Sequence, residues 1–112
     1  MQFDFEKRSA PACFEFLTGT VVPRPIALIT TVSASGLPNA APYSFFNIMG
    51  IDPPVVAVGL LPTPDGRLKD TANNIQATGE FVVNLVSEDL AEAMAVRAVL
   101  AAILHSLVIR VQ

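Results

Sequence analysis

Prolines divide the central part of this chain into short segments, and this division restricts the fold more than any other feature. The chain has nine prolines, and all except Pro11 lie between residues 23 and 64. A proline cannot donate to a strand ladder and restricts the residue before it to extended geometry. The segments Ile26 to Val32, Val55 to Leu61 and Glu80 to Val86 are rich in β-branched residues and have the length of strands. Their order predicts a mainly β (α+β) fold, a barrel or a sandwich, with peripheral helices.

Two segments carry helix signals at both ends. Ser9 to Leu17 has a serine at the N-cap position, a proline in its first turn and Gly19 just past its end. Asp70 to Thr78 is expected to be capped by Asp70 or Thr71 and to end at Gly79. The sequence therefore predicts one helix before the first strand and another between the strands at 55–61 and 80–86.

The C-terminal tail has apolar residues at helical spacing. They follow an i, i+3, i+4, i+7 pattern at Val96, Val99, Leu100, Ile103, Leu107 and Val111. A further helix is expected to start at Ser87, which would cap it. We therefore expect a domain over residues 1–94 and an amphipathic C-terminal helix within residues 95–112.

The composition is apolar for a chain of this length. Apolar residues make up 52% of the 112 residues, charged residues 15%, and the mean hydropathy is +0.52. A typical soluble domain carries about 25% charged residues. Because a small domain has proportionally more surface to cover, we expect either that part of this apolar surface meets a partner or a ligand or that the chain is part of something larger.

Charge and hydropathy argue against several protein classes. The net charge is −3 and the basic residues are scattered, whereas a nucleic-acid surface needs clustered Lys and Arg. The longest candidate for a membrane span, Ala95 to Val111, contains Arg97, His105 and Arg110. The first eight residues alternate Phe with Asp and Glu, which is unlike a signal peptide. The expectation is a cytoplasmic protein with neither nucleic acid nor a membrane as its partner.

Conventional catalytic sets are nearly absent from the sequence. One His and one Cys cannot supply a metal cluster of His and Cys ligands, and no Walker or GxGxxG loop occurs. Cys13 is interpreted as a small, partly buried hydrophobe, and His105 as a surface or interface residue. The sequence therefore predicts neither a metal site nor a nucleophile.

One segment mixes aromatic rings with small polar side chains. Asn39 to Asn47 places Ala40, Ala41, Ser44 and Asn47 among Tyr43, Phe45 and Phe46. Small side chains and backbone N–H groups suit the ring of a flat cofactor such as flavin mononucleotide (FMN), but an ordinary aromatic-rich core strand has the same composition. Pro42 predicts that the segment is an irregular edge strand or a bulge.

A second segment could hold the phosphate of such a cofactor. Arg67, Lys69, Asp70 and Thr71 stand at a predicted helix N-terminus, where free N–H groups and the helix dipole favour an anion. Asp70 argues the other way, because as an N-cap it would occupy those donors and repel a phosphate. A solvated, capped helix start remains the alternative.

Five short motifs, taken in order, resemble those of one family. They are Val22-Pro-Arg-Pro-Ile-Ala27, Asn39-Ala-Ala-Pro-Tyr-Ser-Phe-Phe-Asn47, Asp52-Pro-Pro54, Lys69-Asp-Thr71 with Asn74-Ile75, and Gly79-Glu-Phe-Val-Val-Asn84. From about Phe14 to Met94 the chain resembles the flavin reductase-like, FMN-binding split-barrel family, which includes flavoredoxin. The resemblance implies a Greek-key split β-barrel and a homodimer that binds FMN between its protomers.

The resemblance also assigns residues to the cofactor. Thr30 and Thr31, with Ser44, Phe45, Phe46 and Asn47, would line the ring and the ribityl chain. Arg67, Lys69 and Thr71 would take the phosphate. Asn39 matches a position of the second motif and is counted among the cofactor-binding residues. Arg24 matches a further motif position. No catalytic residue is implied, because the flavin itself carries the hydride chemistry.

The resemblance implies an oxidoreductase that passes a hydride or electrons from NAD(P)H to flavin. Two other functions stay open: an FMN-binding electron carrier without its own reductase activity, and an apo oligomer whose apolar tail serves assembly. After Met94 the sequence departs from the family pattern, in which further strands complete the barrel.

Overall fold

Short strands and two α-helices make up the described part of the chain. The structure is a computed structural model, and it describes residues 3–88 and 106–110. After a 3₁₀ turn at Phe5–Lys7, the elements are α1 (Ala10–Thr20), β1 (Ala27–Val32), β2 (Pro38–Tyr43), β3 (Phe46–Ile51), β4 (Pro54–Val58), α2 (Asp70–Thr78), β5 (Glu80–Leu85) and β6 (Ser106–Arg110). The prediction of a mainly β fold with few helices is confirmed.

The strands form two sheets. β2, β1, β5 and β6 lie side by side in that order as an antiparallel sheet, and β3 pairs with β4 in a separate hairpin. In the larger sheet, Leu28 of β1 stands opposite Pro42 of β2 and Asn84 of β5. Closure of these sheets into a Greek-key barrel stays a prediction.

The core lies between the larger sheet and the β3–β4 hairpin. Ala27 and Ile29 of β1 are fully buried and cluster with Val83 of β5. The hairpin and α2 cover this cluster with the partly buried Phe46, Val56, Val58 and Ile75. Leu28, on the other face of β1, is also buried, which confirms a strand buried on both faces.

Both predicted helices form, but their ends differ from the predicted ones. Ser9 caps α1 as predicted, its hydroxyl accepting from the Ala12 N–H, but the helix continues through Gly19 to Thr20. The carbonyl oxygens of its last turn are satisfied by Arg24, so the glycine is not needed to end it.

The cap of α2 differs from the prediction. Gly79 ends the helix in the left-handed conformation as predicted, but the N-cap is Lys69, which makes no side-chain capping bond. Asp70 and Thr71 lie inside the first turn. The sequence prediction was wrong here because the side chain of Thr71 is buried and bonds to the sheet instead.

The segment predicted to be irregular is a regular strand. All six residues of β2 pair with β1, and β2 lies at the edge of the described sheet, as predicted. An edge strand tolerates Pro42 because its outer side needs no ladder partner. The irregularity lies instead in β3, where the register shifts between Ile48 and Gly50. The strand predicted over 55–61 is shorter and ends at Val58.

The tail was predicted to be helical, and this is wrong for residues 106–110. Ser106–Arg110 form β6, which pairs antiparallel with β5. A run of three aliphatic residues fits either a strand or a helix by its pattern, and the free edge of β5 supplies ladder partners that favour the strand. The rest of the predicted C-terminal helix, and the helix predicted after Ser87, lie outside the described residues.

Among the described residues, no helix has both the length and the apolar character needed to span a membrane. In the same part of the chain, no three or more His, Cys, Asp or Glu side chains are grouped to hold a metal ion.

Candidate functional site

A groove runs between α1 and the turn that joins β2 to β3. It consists of two adjoining cavities of about 390 and 400 Å³, and Arg24, Ser44 and Phe45 line both. The first cavity extends to Asn47 and Met49, and the second extends to Lys69. We call this continuous space the groove. Five of the predicted site residues line the groove: Ser44, Phe45, Phe46, Asn47 and Lys69.

One wall of the groove is the apolar face of α1. Phe14, Leu17, Thr18 and Val21 recur at helical spacing and line the two cavities. Phe14, Leu17 and Val21 are about half exposed because α1 contributes no buried residue to the core. This wall was not predicted, although the i, i+3, i+4, i+7 spacing is present in the sequence.

Arg24 fastens this wall to the β2–β3 turn. Its Nη1 donates to the carbonyl oxygens of Thr18 at 2.6 Å and Val21 at 2.8 Å, and its Nε donates to the Ser44 hydroxyl at 3.4 Å. The guanidinium thus binds the last carbonyls of α1, where a cation is favoured by the helix dipole. Because the Ser44 oxygen accepts this bond, its own O–H remains available as a donor.

Phe45 is held from two sides. Its ring centroid lies 6.1 Å from that of Phe14, and its carbonyl oxygen accepts from the Gly59 N–H at 2.7 Å. A Cβ atom on Gly59 would lie 2.8 Å from the Cβ of Phe45, closer than real Cβ atoms approach. Only glycine lets the backbone approach this closely without a shift of Phe45.

Asn47 and Phe46 mark the other end of the groove. Asn47 is exposed, and its Oδ1 accepts from the N–H of Ile48 at 2.8 Å. Phe46 lines the first cavity while it packs against the core. Phe46 therefore contributes to both the core and the groove. The two interpretations of the segment Asn39 to Asn47, a cofactor surface and an aromatic-rich core strand, are thus compatible.

Lys69 lies where the groove meets the N-terminus of α2. Its side chain is exposed, and among the described residues it has no ion-pair partner. No side chain caps α2, so the N–H groups of its first turn lack side-chain acceptors. A third cavity of about 560 Å³ continues from Lys69 to Arg67 and Thr63. A cation and free N–H groups together form a site suited to an anion.

Arg67 belongs to a braced loop beside this site. Its Nε lies 2.6 Å from Asp65 Oδ2, and Asp65 Oδ1 accepts a bond from the Thr63 hydroxyl. The Thr63 N–H donates to the Arg67 carbonyl at 2.9 Å, and the Thr63 hydroxyl oxygen lies 2.9 Å from the same carbonyl oxygen. The hydrogen bonds from Thr63 and then from Arg67 lower the pKa of the Asp65 carboxyl. Arg67 is predominantly exposed. It flanks the end of the groove at Lys69, which we call the anion end, and makes no fixed contact with Lys69.

Three predicted site residues meet in a buried polar cluster rather than in the groove. Asn39 Nδ2 donates to the Thr71 hydroxyl at 2.9 Å and to the Thr31 hydroxyl at 3.3 Å. Asn74 Nδ2 also donates to the Thr31 hydroxyl, at 3.0 Å. Thr31 and Thr71 are almost fully buried, at 4% and 1% exposure. We call these four residues the polar cluster. Asn74 belongs to one of the five motifs but was not predicted as a site residue.

Thr30 lies apart from the other predicted residues. It follows the alternation of β1, so it faces the side opposite Thr31, and its hydroxyl accepts from Asn84 Nδ2 at 3.4 Å. Thr30 and Thr31 thus point to opposite faces of one strand. Neither lines the described cavities of the groove.

Comparison with known proteins agrees with this architecture. The model of the flavin reductase like domain family matches residues 18–102. The Bacillus subtilis protein YwrF is 46% identical over 90 residues, which cover 80% of this chain and 43% of YwrF. The chain thus spans less than half the length of this relative.

Two solved structures share the fold. Nitrilotriacetate monooxygenase component B from Bacillus cereus superposes with a TM-score of 0.79 at 35% identity, over 88% of this chain and 50% of that one. The 2-nitrobenzoate 2-nitroreductase NbaA of Pseudomonas fluorescens gives a TM-score of 0.71 at 40% identity, over 88% and 47% of the two chains. The sequence resemblance is confirmed by these matches, and the chain belongs to the flavin reductase like domain family.

Proposed function

We propose that this protein binds FMN in the groove and passes a hydride or electrons from NAD(P)H to the flavin. One observation carries the proposal: the uncapped, cationic start of α2 lies on the same groove as the aromatic wall of Phe14 and Phe45. FMN requires this combination, an apolar slot for its ring and an anion site for its phosphate. Family membership and the names of the two structural neighbours support a redox function.

The residues of the groove fit the chemistry of FMN. Lys69 and the first N–H groups of α2 would hold the phosphate, with Arg67 in the flanking loop. Asp70 does not cap the helix, so it leaves these donors available, but its carboxylate lines the same cavity and opposes part of the attraction of Lys69 for an anion. The ring would lie against Phe45, where Ser44 offers an O–H donor to its polar edge.

The protein's part in the reaction is to bind and orient. Bound FMN would supply the redox chemistry, since a flavin accepts a hydride without a protein base or nucleophile. Arg24 places a partly buried positive charge beside Ser44, which would favour electron density on a ring edge bound there. Phe45, with Phe14 beside it, would give the ring an apolar surface to pack against, and a fixed orientation of the ring would lower the entropic barrier to transfer.

A second copy of the chain would complete the site. β3 exposes Ile48, Met49 and Ile51, at 68%, 62% and 89%, and Met49 also lines the first cavity. An exposed apolar surface of this kind is typical of an interface. A homodimer through β3 would cover this surface and enclose the open end of the groove.

The test is to incubate the 112-residue protein with FMN, remove free flavin and add NADH or NADPH without oxygen. The proposal predicts a yellow protein whose absorbance bleaches on addition of one of the nicotinamides. A protein that binds FMN but is not bleached is an electron carrier that needs another donor. A protein that remains colourless contradicts both flavin functions.

A further inference from the structure

The polar cluster ties α2 to the sheet at two points. Thr71 is bound by Asn39 of β2, and Asn74 binds Thr31 of β1. Thr71 and Asn74 are three residues apart, so both project from the same face of α2. Together with the packing of Ile75 against the core, two tethers separated by about one turn define the direction of the axis of this nine-residue helix more closely than one tether would.

The hydrogen-bond capacity of the cluster makes the two tethers interdependent. The Thr31 oxygen accepts from both Asn39 and Asn74, so both of its lone pairs are used. Both N–H groups of the Asn39 carboxamide are used in turn, one for Thr31 and one for Thr71. Loss of one member therefore leaves a buried partner unsatisfied and weakens the other tether.

The cluster lies behind the anion end of the groove without reaching it. Thr71 is 1% exposed and Asn74 8%, so neither side chain is open to a ligand. Lys69 and Asp70 immediately precede Thr71 at the start of the helix. The direction of the α2 axis therefore decides where Lys69 and the free N–H groups point.

We propose that Asn74 and Asn39 are positioning residues that aim the N-terminus of α2 at the phosphate of the bound flavin, acting through Thr31 and Thr71. The inference rests on the proposed function. It assigns Thr71, Thr31 and Asn39 an indirect part in binding, in place of the direct contacts implied by the family resemblance.

The test compares the dissociation constants of FMN and riboflavin, which differ by the phosphate. Asn74→Leu keeps the approximate volume and removes the donor, and Thr31→Val removes the shared acceptor. Each is expected to reduce the preference for FMN over riboflavin by about tenfold, the scale of one lost hydrogen bond to a charged group. Thr31→Ser, which keeps the hydroxyl, should retain the preference.

Two further variants separate positioning from general damage. Gln76→Leu makes the same kind of change at an exposed position of α2 and should leave both affinities unchanged. In the Asn74→Leu, Thr31→Val double variant, the loss should be no larger than that of Thr31→Val alone, because Thr31→Val already removes the acceptor of the Asn74 bond. Asn39→Ser tests the second tether separately if Asn74→Leu does not fold, and folding is checked by urea denaturation.

Equal losses for FMN and riboflavin in folded variants, or no loss for either, would overturn the positioning role and leave the proposed function standing. A wild-type protein that binds FMN no better than riboflavin would overturn the phosphate site itself, and the positioning role with it.

Discussion

Gly59 lies directly against Phe45, with its N–H 2.7 Å from the Phe45 carbonyl oxygen and with no room for a side chain. Gly59→Ala would place a methyl group 2.8 Å from the Phe45 Cβ and 3.3 Å from its ring. Phe45 or the backbone at residue 59 must then shift, which we expect to destabilise the fold by about 1–3 kcal/mol and, because both residues line the groove, to weaken flavin binding. Urea denaturation and flavin titration measure the two effects.

Gly19→Ala is the matched control for this prediction. Gly19 lies within α1 with no atom within 4 Å of an added Cβ. The substitution should stabilise the protein by about 0.5–1 kcal/mol, since alanine favours a helix interior over glycine. A Gly59→Ala protein as stable as the Gly19→Ala protein would show that the Phe45 contact is not tight.

Arg24→Lys is expected to loosen α1 from the sheet although the charge is kept. A lysine ammonium cannot reproduce the forked contacts to Thr18, Val21 and Ser44. We expect a loss of about 1–3 kcal/mol of stability and faster amide exchange at the end of α1. Arg8→Lys, at an exposed arginine over the Phe3 ring, is the control and should cost much less. Equal effects of the two substitutions would contradict the bracing role of Arg24.

The carboxyl of Asp65 should titrate below its ordinary pKa of 3.8. The hydrogen bonds from Thr63 and Arg67 favour its charged form, so the folded pKa lies below the unfolded one. The stabilisation is therefore fully present above the unfolded pKa and is lost as the pH falls through the folded value. An NMR titration of the side-chain carboxyl carbon measures it, and Thr63→Val should raise the pKa. A wild-type value at or above 3.8 would refute the bracing of this loop.

Ile51→Glu should dissociate the proposed homodimer. Ile51 is 89% exposed on β3, and a charge there would have to be desolvated in an apolar interface. Sedimentation velocity should detect a dimer of the wild type and a monomer of the variant. Leu37→Glu, at a 68% exposed position in the β1–β2 turn, should leave the dimer intact. A monomeric wild type would contradict the proposed homodimer.

Local sequence signals predicted most of the strands and both helices. The β-branched run at β1, the Ser9 cap of α1 and the Gly79 end of α2 follow from short-range preferences, and the structure confirms them. β6 could not be predicted in this way, because its conformation depends on the free edge of β5, more than twenty residues away in sequence. Long-range pairing leaves no local pattern of its own.

The candidate site shows the same division. The resemblance pointed to Ser44, Phe45 and Lys69, which the fold brings to one groove. It did not reveal that the Thr71 side chain turns inward to Asn39, because the burial of one helix face depends on the tertiary contact. Alternation along β1 alone would have been sufficient to place Thr30 and Thr31 on opposite faces, but the resemblance assigned both to the cofactor.

The most direct test of the central claim is the FMN affinity of Lys69→Met, compared with that of Lys7→Met. Lys7 is an exposed lysine paired with Asp4, and it lines none of the cavities described above. Lys69→Met should weaken FMN binding by about 10- to 100-fold, the effect of losing a charged hydrogen-bond donor, whereas riboflavin binding should be unchanged and Lys7→Met should behave like the wild type. An FMN affinity unaltered by Lys69→Met, or an equal loss for riboflavin, would contradict a phosphate site at the start of α2.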